Sequence, residues 1–381
     1  MAVQRGLEFR SIPEIESVSA ADLLARARAQ IERQTPEPVR DARAQILLRL
    51  ELVPSDFEWL IGIEGALRGR LQAFYDPDRC RIVIDRALTD GDRERALAHE
   101  LVHALQDQHH ALGARLEYAP DAGDRQAALL ALAEGDADAL VAELAWPRTS
   151  TAGPSWADHS TLDTLAAANP AVPEVLLRSL SAAYVDGLPI VQRVRAAGGW
   201  SAVDALYARP TLTTHELLSS SFPGARQAFS TLPAALPPDV DWQLRYSDVL
   251  GEQTLRTVLE EWTPRSSAEH LASGWTGDRL SNFERGAARA LVWELRMDRQ
   301  RSAAAAHALR QGLHLSAMTS TASDERARPF VCRAHRDGGV VALFIHRPRL
   351  WLLSLMDETN DAGCPALAQW AEALHRVAIG G

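Results

Sequence analysis

The chain has 381 residues, 46% of them hydrophobic and 24% charged, with a formal net charge of −10. This is the composition of a soluble globular protein with enough chain for one large core or two moderate ones. The negative charge argues against a nucleic-acid partner, and no apolar run of about 18 residues is available to span a membrane. Met1 to Arg10 lack a hydrophobic signal segment, so the sequence as given reads as cytoplasmic; a signal segment removed beforehand would make it secreted or periplasmic. Cys80, Cys332 and Cys364 are scattered and form no CxxC. They are expected to be buried thiols rather than zinc ligands or a disulfide framework, with a Cys332–Cys364 bridge the lesser expectation.

In chain order, Ser19 opens an amphipathic helix over 19–34, with Leu23, Leu24, Ala27 and Ile31 on one face, and Pro36 and Pro38 end it. A second helix is expected over 40–51, and a third from Phe57 to Leu67 after Pro54-Ser55-Asp56. Leu71 to Tyr75, the turn Asp76-Pro77-Asp78, and Cys80 to Asp85 read as a β-hairpin.

The next segment carries the chemistry. Residues 97–109 read Leu-Ala-His-Glu-Leu-Val-His-Ala-Leu-Gln-Asp-Gln-His. On a helix, His99 and His103 lie one turn apart on one face and can grip a single Zn²⁺, with Glu100 beside the metal to handle a proton. Ala96, Leu97, Leu101, Val102, Ala104 and Leu105 supply the apolar stripe of a buried helix. Two third ligands are available. His109 has the spacing of the metzincin pattern, but Gln106 stands where that pattern has the glycine that turns the chain. Glu134 lies on a second long helix beginning at Gln126, with Asp138 four residues on and on the same face. A carboxylate set among Ala and Leu needs a partner, because an unpaired buried charge is costly. Asp107 could orient His103 from one turn away.

Residues 146–172, rich in Pro, Ser, Thr and Gly, read as a long loop. A helix follows over 173–195, Gly198-Gly199 turns the chain, and a helix runs from Ser201 to Tyr207. Pro233 to Asp241 is a linker between a domain over 1–240 and a C-terminal domain over 243–381. In the latter, helices are expected over 248–262, 299–312 and 364–377. Strands are expected over 290–297, 328–335, 339–346 and 349–355. The fold class is therefore α+β: a mainly helical domain with a small sheet and an active-site helix, then a smaller α+β domain without recognisable chemistry.

The His99-Glu100-Leu101-Val102-His103 and Glu134-Gly-Asp-Ala-Asp138 pair resembles the gluzincin, thermolysin-like zinc metallopeptidases. The resemblance implies a zincin-like fold, Glu134 as third zinc ligand and Asp138 holding His99. It also implies an edge strand, here residues 81–85, that pairs with extended substrate. Most of the chain also resembles a group of uncharacterised bacterial HExxH metallopeptidases. The matching stretches are Phe74-Tyr-Asp-Pro77, Ala98 to His109, Glu134 to Ala137, Gly198 to Tyr207 and Gly274-Trp-Thr-Gly-Asp-Arg279. This chain departs from the group at Ala73, where a Gly is usual, and at Ser219, where the group has a His for which His215 could stand in.

Three protein ligands would leave one position for water, the mark of a catalytic site. The expected activity is zinc-dependent hydrolysis of a protein or peptide substrate, with Glu100 as general base. Tyr184 and His215 are the candidate oxyanion donors. The alternatives are a non-catalytic zinc-stabilised binding or scaffold protein, in which Glu100 would have no task, and a zinc hydrolase acting on a non-peptide bond.

Overall fold

The computed structural model describes residues 1–144, 171–219, 221, 241–315, 330–346, 348–356 and 363–380, with side chains through 376. The loop over 146–172 and the linker over 233–241 fall almost wholly outside the described residues. The fold is α+β, as expected, with helices and two sheets in two compact units.

The first unit comprises Met1–Glu37, Glu58–Tyr118 and Arg125–Ala225. It opens with a one-turn helix, α1 (Ala2–Arg5), a strand β1 (Glu14–Val18), and α2 (Ala20–Gln34), whose cap is Ser19 accepting from the Asp22 N–H. The next helix, α3 (Glu37–Arg49), belongs from Pro38 onward to the second unit; after α4 (Trp59–Leu67) come β2 (Ala73–Asp76) and β3 (Arg81–Asp85). These two form the expected hairpin, but the sheet order is β1-β3-β2, with β1 parallel to β3. Strand β3 thus has a partner on each side and no free edge for substrate, which corrects the expectation placed on residues 81–85. The outer strand of the hairpin is β2. The two sheet faces follow strand alternation. Ala73, Tyr75, Ile82 and Ile84 pack on α5 (Asp90–His110), while Phe74 and Val83 pack with Leu23 of α2.

The rest of the first unit is helical: α6 (Leu112–Leu116), α7 (Gly123–Glu143), α8 (Glu174–Tyr207) and the short α9 (Thr214–Leu218). The two helices expected over 173–207 are continuous apart from a kink where Gly199 takes φ 66° and ψ −164°. That backbone conformation is open to glycine and strained for other residues.

The second unit comprises Pro38–Phe57, Ala119–Asp124 and Arg226–Gly381. Its core is a six-stranded antiparallel sheet. The strands are β4 (Gln243–Asp248), β5 (Trp275–Arg285), β6 (Ala288–Met297), β7 (Phe330–Ala334), β8 (Val340–His346) and β9 (Arg349–Met356), in the order β4-β5-β6-β9-β8-β7. With them run α10 (Gly251–Glu260), α11 (Arg265–Ala272), α12 (Ser302–Gly312) and α13 (Cys364–Gly380). Leu367, Trp370, Ala371 and Leu374 of α13 cover one sheet face through Phe283, Val292, Phe344, Trp351 and Leu353. Asp278 is the keystone of the unit. Its carboxylate accepts the Leu250 and Gly251 N–H groups, each at 3.0 Å, and the Trp275 and Trp293 indole N–H groups, each at 2.9 Å. Arg279 beside it donates to Asp121 and Ser247, both at 2.6 Å. The Gly-Trp-Thr-Gly-Asp-Arg stretch is thereby explained as architecture.

Contrary to the expectation of three free thiols, Cys332 on β7 and Cys364 at the start of α13 are joined in a disulfide; Cys80 remains free. Their separation of 32 residues in sequence gave no sign that the first turn of α13 sits beside β7. Closing a loop of this length limits the unfolded chain, so the Cys332→Ser, Cys364→Ser double variant should lose about 3–4 kcal/mol. Urea denaturation of wild type and variant checks this; coincident midpoints would show the bridge contributes nothing.

Candidate metal centre

Helix α5 is built to carry a rigid site. Thr89 caps it by accepting the Asp92 N–H, Asp90 and Asp92 sit in the first turn where the helix dipole favours anions, and Ala98, Val102, Ala104 and Leu105 are buried. His99 and His103 project from one face with ring centroids 4.7 Å apart. Helix α7 brings Glu134 to them. Its close approach to α8 is set by two glycines: a Cβ on Gly135 would lie 2.2 Å from the Gly187 carbonyl carbon, so the helices touch backbone to backbone.

Three donor atoms converge. His99 Nε2 and Glu134 Oε2 are 3.0 Å apart, His103 Nε2 and His99 Nε2 3.0 Å, and His103 Nε2 and Glu134 Oε2 3.4 Å. Among the described residues, this is the cluster of His and carboxylate side chains able to hold a metal ion. The ring nitrogens on the far side are held separately. His99 Nδ1 lies 3.3 Å from Asp138 Oδ1, and His103 Nδ1 lies 2.8 Å from Gln106 Oε1. The Gln106 amide is itself oriented, because its Nε2 donates to the Ala133 carbonyl at 2.9 Å. These oxygens can accept the Nδ1 protons, which leaves Nε2 of each imidazole as the atom that would ligate a metal once its own proton is displaced.

The charges are strongly coupled. Burial alone would lower His99 and His103, but hydrogen bonding to Asp138 and Glu134 at His99, and the Glu134 charge at His103, hold both imidazoles above their ordinary range. Burial opposes ionisation of Glu134, yet the two imidazoles keep it well below the usual carboxylate range. Glu100, next in sequence to His99, is raised by its own burial, partly offset by His103 and His99, and it accepts the backbone N–H of Tyr75. Tyr184 on α8 stacks near His99, centroids 6.3 Å apart at 22°, and its hydroxyl bonds to Glu134. Burial first, then the Glu134, Glu100 and Asp138 charges, keep that hydroxyl protonated.

Other expected residues go elsewhere. Asp107 does not orient His103: its Oδ2 accepts from Tyr75 OH at 3.3 Å and its Oδ1 from the Gly113 N–H at 2.9 Å. Gln106 takes the place expected of it. His109 faces away, 2.8 Å from the Glu8 carbonyl oxygen, so the three-His alternative does not form. His215 is buried in α9 and is not in the His99–His103–Glu134 cluster; it sits beside Glu216, which forms a capping box with Thr213. In the sequence Gln106 stands out only as the residue at the metzincin glycine position. Its position three residues after His103, on the same helical face, was the available signal. Replacing Gln106 with Leu frees the His103 ring and should weaken metal binding about 10–100-fold; chelator competition measures it, and an unchanged affinity would remove the orienting role.

Beside Glu100 runs the outer edge of β2, where the Tyr75 N–H bonds to Glu100 and the Tyr75 carbonyl oxygen lies 3.5 Å from Gln30 Nε2. The Asp85 N–H bonds to the Gln72 carbonyl oxygen at 2.9 Å, which fixes the antiparallel alternation. Ala73 and Tyr75 therefore turn their backbone groups outward, away from β3.

Residues 63–184 match a family described as "Putative metallopeptidase family (DUF6782)". The matched stretch contains His99, Glu100, His103, Glu134 and Asp138, and its last residue is Tyr184. With the His-His-Glu cluster, the match supports a metal-dependent peptidase at the coarse level of class. Residues 242–347, in the second unit, match a family described as "Domain of unknown function (DUF8575)". No curated protein and no solved structure matches the chain.

Proposed function

We propose that the chain is a gluzincin-like zinc metallopeptidase in which His99, His103 and Glu134 hold the ion. The observation that carries this reading is the convergence of those three donors at 3.0, 3.0 and 3.4 Å with both Nδ1 atoms already engaged. Tetrahedral ligand bonds of about 2.0–2.1 Å place donor atoms about 3.3 Å apart, so the side chains fit the ion without rearrangement. Two imidazoles and one carboxylate are also the donor set of a site that keeps a position open.

Bound there, zinc would supply Lewis acidity, lowering the pKa of water at the open position and polarising a carbonyl. The chain's own groups do the rest. Glu100, buried and held by the Tyr75 N–H, takes a proton from the attacking water and passes it to the leaving amine. The Tyr184 hydroxyl, which stays protonated and bonds to the ligand Glu134, is the group assigned as donor to the developing oxyanion. An extended peptide can lie along β2, where the outward Ala73 N–H and carbonyl offer strand pairing. Asp138 and Gln106 keep the imidazoles in register. A zinc-stabilised scaffold would have no use for a buried carboxylate in the place of Glu100, which favours the hydrolase.

Metal analysis of wild type and Glu134→Ala, with a peptide-library assay before and after chelation, tests the proposal. One zinc per chain is expected in wild type, with loss in the variant and hydrolysis that disappears on chelation and returns with zinc. Full occupancy in Glu134→Ala would move the third ligand elsewhere.

A further inference from the structure

The Gly198-to-Tyr207 stretch, the Asp136 within Glu134-Gly-Asp-Ala137, and the first residues of the chain have no task in the chemistry above. The structure brings them together. Arg5 is 1% exposed and Asp136 is fully buried. The Arg5 guanidinium binds Asp136 through two nitrogens, at 2.8 and 3.0 Å, and Asp204 through one of them at 2.5 Å. The Tyr207 hydroxyl also donates to Asp136, at 3.2 Å. His110 stacks on the Tyr207 ring with centroids 4.3 Å apart, and Arg5 lies 4.6 Å from the Trp200 ring centroid. The kink at Gly198-Gly199 is what turns Trp200, Asp204 and Tyr207 toward Arg5.

The segment after α1 continues as a strap along the end of α5. The Arg10 and Ser11 N–H groups donate to Gln108 Oε1 at 2.8 and 3.2 Å, Gln108 Nε2 donates to the Ser11 carbonyl at 2.8 Å, and His109 meets the Glu8 carbonyl. Residues 1–11 thus touch all three helices that carry the metal centre and Tyr184.

We propose that Arg5 is a positioning residue of the metal centre: by binding Asp136 on α7 and Asp204 on α8 it fixes the rotation of α7 and so holds Glu134 at the two imidazoles. Asp136 is two residues from Glu134 and two from Asp138, on the other side of α7, and Gly135 between them is pressed against Gly187. The turn is therefore gripped from both sides. The required precision is high. On a helix of about 5–6 Å radius, a rotation of about 20° moves a side-chain end by about 2 Å, whereas metal bonds tolerate about 0.2 Å. Without the guanidinium, Asp136 is a buried carboxylate with the Tyr207 hydroxyl left as a donor. A buried charge stripped of its partner is relieved by turning toward water, and that turn carries Glu134 off the site.

This inference rests on the metal centre proposed above, so the experiment reads metal binding directly. Zinc affinity is measured by competition with a chromophoric chelator in wild type, Arg5→Met, Arg5→Lys, Asp204→Asn and Arg26→Met, with circular dichroism to establish that each is folded. Arg26 pairs with Glu16 on the protein surface and serves as the control. A purely structural role would lower melting temperature in the Arg5 variants and leave the affinity of the folded protein alone. The expected result is at least tenfold weaker zinc binding in Arg5→Met and a smaller loss in Arg5→Lys, whose single nitrogen cannot bridge both carboxylates. Asp204→Asn should lose about threefold and Arg26→Met less than twofold. Affinity in Arg5→Met within twofold of wild type overturns the inference while leaving the metal centre intact. If Arg5→Met does not fold, unchanged affinity in Asp204→Asn overturns it. A wild type that takes up no zinc overturns the metal centre and this inference with it.

Discussion

Glu100→Gln should keep its metal and lose about a thousandfold in kcat/KM for peptide hydrolysis, within the range of general acid–base contributions. The substitution is close to isosteric, and the new amide oxygen can still accept the Tyr75 N–H that Glu100 accepts now. His99, His103 and Glu134 are untouched, so zinc content should match wild type. What disappears is a group able to take and return a proton at that point. The paired readout matters. Lost activity with retained metal assigns the proton to Glu100, whereas lost activity with lost metal would mean that Glu100 supports the ligands instead. Hydrolysis at the wild-type rate would end the proposed mechanism.

Gly135→Ala is the second large effect, and it acts through packing. The added methyl would sit 2.2 Å from both the carbonyl carbon and the oxygen of Gly187, where ordinary contact begins at 3.4 Å. Both obstacles are backbone, so no rotamer change relieves them and the helices must part by more than an ångström. Overpacking of this kind costs about 1–3 kcal/mol, and more where backbone has to shift. Because Glu134 is the preceding residue, the displacement falls on the ligand itself, and zinc affinity should drop more than tenfold. Gly91→Ala on α5 is the control: nothing lies within 4 Å of its Cβ position, and alanine is the better helix former. If Gly135→Ala binds zinc as Gly91→Ala does, the close helix contact does not set the site.

The candidate site was legible in sequence wherever one helix carries the information. The four-residue spacings of His99 with His103 and of Glu134 with Asp138 translate directly into shared helix faces. Selection between helices was not legible. Gln106 and Asp107 are both near the His103 face, and the choice falls to Gln106 because the Ala133 carbonyl of α7 holds its amide while Tyr75 and Gly113 take Asp107. The hairpin of β2 and β3 was readable from its turn. That β3 is central was not, because its other neighbour, β1, lies more than sixty residues earlier and is short and mostly exposed. In the second unit, β4 has no counterpart among the expected elements; only its last residue, Asp248, falls within the helix expected over 248–262. Strand β5 was missed altogether, its register broken by an irregularity between Trp275 and Gly277, where φ reaches 151°.

The indoles bound to Asp278 have a practical consequence for measurement. Trp242, Trp262, Trp275, Trp293, Trp351 and Trp370, six of the ten tryptophans, belong to the second unit. Intrinsic fluorescence will therefore follow mainly the melting of the six-stranded sheet, and it will register the disulfide variant clearly. Damage at the zinc ligands reaches that signal as a minor component, through indoles such as Trp200 on α8, its ring centroid 4.6 Å from the Arg5 guanidinium, so variants of α5 and α7 are better followed by a reporter placed on those helices.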